Sequence, residues 1–180
     1  MKRLLPLVLL IGSITVLHAQ QKDKASNADK KASASKKSST HKLVGTWTLV
    51  LVDNILPDGS RVELYGPSPQ GILMFDARGN YSLQILRANR AKFAANDKGQ
   101  GTPEEYKAAV QGSNTHFGKY TVDETTGTIT FYIEHASYPN WEGTEQKRLF
   151  TISNDELKYT VPTPTTGAGA TGEVVWKRIQ

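Results

Sequence analysis

The amino-acid sequence predicts an all-β protein: a closed antiparallel up-and-down β-barrel of about 8–9 strands with one short inserted α-helix. Three observations carry this expectation. From Leu43 onward the chain divides into short apolar, β-branched and aromatic runs separated by Gly, Pro, Asn and Asp clusters. One segment among them carries a full set of helix-start signals. A meander of that many antiparallel strands also exposes two sheet edges unless it closes on itself.

The elements follow in order. Leu43–Val52 is apolar and β-branched and reads as the first strand. Pro57-Asp58-Gly59 makes a turn, Val62–Tyr65 is a short strand, and Gly66-Pro67-Ser68-Pro69 breaks it. Ile72–Phe75 and Tyr81–Arg87 form a hairpin across Asp76–Asn80. Thr102-Pro103-Glu104-Glu105 joins a Thr cap, a Pro at the first helical position and a Glu at the third, which predicts a helix from Pro103 to Gln111 ending at Gly112. His116–Val122 and Thr128–Ala136 form a second hairpin across Asp123–Gly127. Glu145–Ser153, Leu157–Val161 and Glu173–Ile179 complete the strands. Pro162–Gly172 is a Thr/Gly/Pro loop, expected to be mobile.

The protein has 180 residues, 38% hydrophobic and 22% charged, which suits one globular domain with additional sequence. Lys2 and Arg3 precede an apolar run from Leu4 to Leu17, and Leu17-His18-Ala19 offers a cut before Gln20. The run falls short of the ~20 apolar residues a membrane span needs. Residues 1–19 are therefore expected to be a signal peptide, and the product to be exported, either periplasmic or secreted. Residues 20–42 are rich in Lys, Ser and Ala with almost nothing large and apolar, so a disordered tether is expected there. Residues 43–180 form the predicted barrel domain.

The tether also explains the charge. It holds seven Lys against Asp23 and Asp29, a net of +5, whereas the part from Leu43 onward has 13 basic and 15 acidic residues, a net of −2. A nearly neutral domain removes the electrostatic case for a nucleic-acid partner. The tether has two readings, weak contact with an anionic envelope surface or a solvated spacer. There are no Cys, so neither disulfides nor lipid attachment through an N-terminal Cys is available.

Polar residues on otherwise apolar strand faces are the functional clue. Side chains alternate along a strand. Ile129, Phe131, Ile133 and His135 thus share one face, as do Gln146, Arg148, Phe150 and Ile152. Arg87 follows Tyr81, Leu83 and Ile85, and His116 precedes Tyr120 and Val122 in the same way. Arg87, His116, His135, Gln146 and Arg148 can therefore line a cavity that takes a largely apolar ligand with a carboxylate, enolate or phenolate. Arg supplies a planar fork of donors, and His donates or accepts near neutral pH. The competing reading places Arg87 and His116 at strand ends with heads in water, His135 on a backbone carbonyl, and Arg148 paired with Glu134 or Glu145. Tyr138 and Trp141, on the loop between the two strands, either rim the barrel mouth or plug its end. The helix, with Tyr106, Ala109 and Val110 on one side, either caps the barrel or braces its wall.

Catalytic signals are thin. There is no Gly-x-Ser-x-Gly elbow, no His-Glu-x-x-His or other metal-ligand spacing, and no phosphate-binding glycine loop after a strand. No cofactor and no metal is expected. If the protein is an enzyme, His116 or His135 is the acid–base of a cofactor-free isomerase or cyclase, with Arg148 or Arg87 steadying an oxyanion. A purely structural envelope protein is the third class, and it requires a barrel packed solid.

Gly45-Thr46-Trp47 resembles the Gly-x-Trp mark of the lipocalins, and Arg178 fits the Arg that packs across that Trp in them. More closely, the domain resembles the bacterial lipocalin-like domain family. The matching segments include Phe75-Asp76-Ala77-Arg78-Gly79-Asn80-Tyr81-Ser82, Gly101-Thr102-Pro103-Glu104-Glu105 and Gly118-Lys119-Tyr120-Thr121-Val122-Asp123. Tyr138-Pro139-Asn140-Trp141-Glu142-Gly143-Thr144 and Val175-Trp176-Lys177-Arg178 continue the series. The resemblance implies a small β-barrel that binds small molecules, with Gly45, Trp47 and Arg178 closing one end through a cation–π contact. Intact-mass measurement of protein from the native envelope is expected to show cleavage after Ala19; a mass retaining residues 1–19 overturns the signal-peptide reading.

Overall fold

The structure, a computed structural model, describes residues 42–167 and 169–180. The expected signal peptide, and the expected tether up to residue 41, lie outside the described residues.

Nine strands form one antiparallel sheet: β1 (Gly45–Ile55), β2 (Arg61–Glu63), β3 (Gln70–Phe75), β4 (Asn80–Leu86), β5 (Ser113–Asp123), β6 (Thr128–Ala136), β7 (Glu145–Ser153), β8 (Glu156–Val161) and β9 (Thr171–Arg178). From β3 to β9 each strand pairs with the next, and β1 pairs with both β3 and β9. Eight strands thus close the predicted barrel. The ninth, β2, extends the sheet beside the second half of β1. It is held there by Arg61, whose Nε and Nη2 reach Asp53 at 2.9 Å and Glu173 at 2.6 Å.

The strand limits follow the sequence reading to within two residues except at two ends, which depart further for the same reason. β1 runs on to Ile55, beyond Val52, because Asp53, Asn54 and Ile55 keep pairing with β9. β5 begins at Ser113, before His116, because Ser113, Asn114 and Thr115 pair with β4. Polar side chains hid both extensions, yet the backbone ladder does not depend on them. The helix that the capping signals predict, α1 (Pro103–Gln111), has both halves of the capping box. Thr102 Oγ1 accepts from Glu105 N at 3.2 Å, and Glu105 Oε2 accepts from Thr102 N at 2.8 Å. Glu105 Oε1 also accepts from Ala94 N at 2.8 Å, tying the preceding loop to the helix start.

One end of the barrel is filled. Trp47, Leu73, Ile129, Leu157 and Trp176 are fully buried there, with Phe75 packed edge-on to Tyr120 at 4.7 Å and Phe131 to Tyr81 at 4.7 Å. The chain crosses this end just before β1, where buried Leu43 accepts a hydrogen bond from Trp47 Nε1 at 2.9 Å. Arg178 lies over the Trp47 ring, 4.1 Å from its centroid, and donates to the Val44 carbonyl at 2.9 Å and to that of Lys42. Lys42 therefore belongs to the barrel end and not to the tether. Gly45 makes the arrangement possible: its φ is +133°, and a Cβ there would sit 2.8 Å from Arg178 Nη1.

Two β-bulges set which side chains face inward. In β1 the register shifts between Leu49 and Leu51, so Trp47 and Leu49 point in before the bulge and Val52 and Asn54 after it. In β6, His135 pairs with Phe117 but Ile133 pairs with Gly118, leaving Glu134 as the extra residue. This bulge turns His135 outward. A Cβ at Gly118 would stand 2.2 Å from Tyr132 O and 2.8 Å from Glu134 N, so only glycine admits the crossing. Gly118→Ala is expected to cost about 1–3 kcal/mol in urea-unfolding free energy through forced backbone displacement. An alanine variant as stable as the wild type removes the bulge from the list of enforced features.

Candidate functional site

The other end of the barrel is open, and a cavity of about 940 Å³ runs inward from it. Its walls alternate with the strands. Val52 of β1, Leu83 and Ile85 of β4, Phe131 of β6, Val161 of β8 and Val174 of β9 give it an apolar lining. His116, Gln146, Arg148 and Tyr159 add polar groups, and Arg87, Asn54 and Asn114 add more.

Arg148 is the charged centre of this set. It points inward from β7, opposite Ile129 of β6, as strand alternation predicts. Its Nη1 donates to the Lys147 carbonyl at 2.9 Å and its Nη2 to Gln146 Oε1. Among the described residues no carboxylate pairs with it, so Glu134 and Glu145 do not fill the role the competing reading gave them. Burial lowers its pKa, while the neighbouring Tyr159 and Tyr81 hydroxyls act in the opposite direction.

His116 packs against this centre. It is 7% exposed, and its Nδ1 lies 2.7 Å from the Tyr81 hydroxyl. Its ring meets Phe131 at 6.0 Å and Trp141 at 5.8 Å, both edge-on. Desolvation, with Arg148 close by, lowers its pKa to about 3, so the imidazole is neutral at physiological pH. Burial raises the Tyr81 pKa and pushes that of Tyr159 up to about 12.

The remaining expectations separate. His135 does not line the cavity, which corrects its assignment both as a ligand contact and as an acid–base. The β6 bulge puts its side chain outside, 67% exposed, against Phe117 at 5.4 Å and 3.5 Å from Glu142. Arg87 follows β4 at the mouth and donates to Leu64 O at 2.8 Å. Tyr138 and Trp141 flank a short 3-10 turn and rim the cavity, their rings edge-on at 5.5 Å. On α1 the expected face is divided. Val110 and Gln111 border the mouth, whereas Tyr106 turns to the preceding loop, packing on Phe93 at 5.5 Å and donating to Lys98 O at 2.7 Å.

Several lining residues escaped the sequence reading. Tyr159 was legible, since Leu157, Tyr159 and Val161 alternate inward along β8. Asn114 lies two residues before His116 and required only the longer β5. Asn54 points inward only because of the β1 bulge, which leaves no local signal. The Pro162–Gly172 loop folds over the mouth and lines it with Pro162 to Thr166. Asn54 Nδ2 donates to Thr166 O at 2.7 Å, while Asn54 Oδ1 is buried without a partner.

A family model described as a lipocalin-like domain matches residues 44–179. The 4'-hydroxy-3'-methoxypropiophenone carrier protein ppsC of Aspergillus oryzae is 27% identical over 106 residues, which covers 54% of this chain and 96% of that protein. Among solved structures, a lipocalin-like protein from Bacteroides uniformis is 14% identical with a TM-score of 0.41, covering 76% of this chain and 98% of its own. An uncharacterized protein from Bacteroides eggerthii is 14% identical with a TM-score of 0.39, covering 76% and 99%.

The buried His116 fixes a pH dependence. Its folded pKa lies below the unfolded value near 6.5, so its contribution is complete above that value and declines as pH falls toward about 3. Unfolding free energy is expected to drop by about 2 kcal/mol between pH 7 and pH 5, before the carboxylates titrate. His116→Gln is expected to flatten that slope, as read by urea denaturation at the two pH values.

Proposed function

The chain belongs to the lipocalin-like domain family, and from that premise we propose that it is an exported carrier of a small, largely apolar molecule bearing an anionic or polar group. The observation that carries this reading is a roomy, apolar-walled cavity into which Arg148 faces with no carboxylate partner among the described residues. A volume of about 940 Å³ suits one drug-sized ligand. It is also unlike the solid core that a purely structural barrel requires.

The fungal relative's name gives its cargo as a phenolic aryl ketone. A molecule of that class meets the chemistry of this cavity. Its ring packs against Phe131 and Trp141, and an oxygen reaches Arg148 and the Tyr159 hydroxyl, both among the lining residues. The proposed export would place this carrier outside the cytoplasm, where it would serve uptake or delivery. Native mass spectrometry of freshly purified protein tests for a retained small molecule.

The decisive variant is Arg148→Met, which keeps the bulk and removes the charge. Loss of one partner of a desolvated charge pair costs ~2–5 kcal/mol of binding. Affinity for a phenolic aryl ketone is therefore expected to fall by at least about 30-fold, with Arg148→Lys intermediate and the unfolding transition kept. A Met variant that binds as tightly as the wild type overturns the role of Arg148.

A further inference from the structure

We propose that the cavity holds its ligand as the conjugate base of a weak O–H acid, a phenol or enol, and that binding releases the proton to solvent. This deepens the carrier reading and rests on it. The O–H bond breaks with its electron pair left on oxygen, and the proton leaves through the open mouth to water.

The argument begins with a charge imbalance inside the barrel. Arg148 brings one fixed positive charge to the cavity, and its acceptors among the described residues are neutral, the Lys147 carbonyl and the Gln146 amide oxygen. The rest of its donor fork has no protein partner among the described residues. A desolvated cation draws in an anion unless the protein supplies one.

The titratable groups facing Arg148 supply none. From β4 comes Tyr81 and from β8 Tyr159, and burial holds both hydroxyls protonated. From β5 comes His116, which is neutral and already joined to Tyr81. The adjoining strand β6 places apolar Ile129 and Phe131 opposite Arg148 and Gln146. On β7 itself, Glu145 and Lys147 sit at the rim with opposite charges, and neither forms an ion pair with Arg148. The missing negative charge is thus left for the ligand to bring.

The surroundings favour a delocalised oxyanion on an aromatic body. The apolar and aromatic walls reward a planar ring, while one guanidinium and one hydroxyl, Tyr159, match a single oxygen better than a fully hydrated carboxylate. His116 does not take the proton, because its buried ring resists the charge.

The test uses two probes on the full-length protein: 4-nitrophenol, whose anion is coloured and whose neutral form is not, and 4-nitroanisole, which cannot ionise. Absorption of the bound nitrophenol across pH is expected to give an acid pKa at least about one unit below that of the free probe. The shift is expected to vanish in Arg148→Met and to persist in Arg148→Lys, which keeps the charge even if the Met variant folds poorly. A bound probe that stays neutral, or an equal shift in Arg148→Met, overturns the inference. If nitroanisole binds while nitrophenol binds unshifted, the carrier reading stands and only the ionisation falls. If neither probe binds, both fall.

Discussion

Pairing of β1 with β9 closes the eight-strand barrel, and the rest of the molecule is arranged around keeping that seam shut. The seam runs from Trp47 opposite Arg178 to Ile55 opposite Thr171. At its closed end Arg178 covers the indole and ties down the incoming chain through the Val44 and Lys42 carbonyls. At its other end Arg61 clamps Asp53 on β1 to Glu173 on β9, with Lys158 completing the network on the outer surface. One end is therefore sealed by an aromatic–cation stack and the other is braced from outside.

That division of labour explains how a chain without disulfides keeps a cavity open. The packed half, from Trp47 through Phe75, Phe131 and Trp176, buries large rings, with Phe75 stacked on Phe131 and edge-on to Tyr120. Polar groups can then be tolerated above it, each at the cost of desolvation, as the neutral state of His116 shows. The two bulges distribute them. Bulge geometry at Val50 brings Asn54 in, and at Glu134 it sends His135 out, so a single inserted residue reverses the face of everything beyond it.

Much of this was legible in the sequence. Alternation placed Gln146 and Arg148 inward because β7 is regular along its whole length. The helix limits followed from Thr102, Pro103, Glu105 and Gly112, whose capping chemistry is local. What the sequence hid depends on pairing with distant partners. Alternation alone put His135 beside Ile133, and nothing near Glu134 announces an extra residue; the cause sits on another strand, where Gly118 lets two backbones approach. Asn54 and Asn114 were lost for a related reason, since a polar residue reads as the end of a strand when the ladder that continues it is supplied from elsewhere.

Pro162 to Thr166 border the mouth, and Asn54 ties this stretch to β1 by donating to the Thr166 carbonyl, while Thr171 and Gly172 already pair with β1. That tie leaves the Asn54 carbonyl oxygen buried and without a partner among the described residues, and such an orphaned acceptor carries a desolvation cost. The segment at the mouth is thus tied down at a cost, whereas Arg148 sits inside the cavity on a regular strand. Substitutions among the Thr and Pro residues of this segment therefore alter the rim of the cavity without touching the strand that carries Arg148.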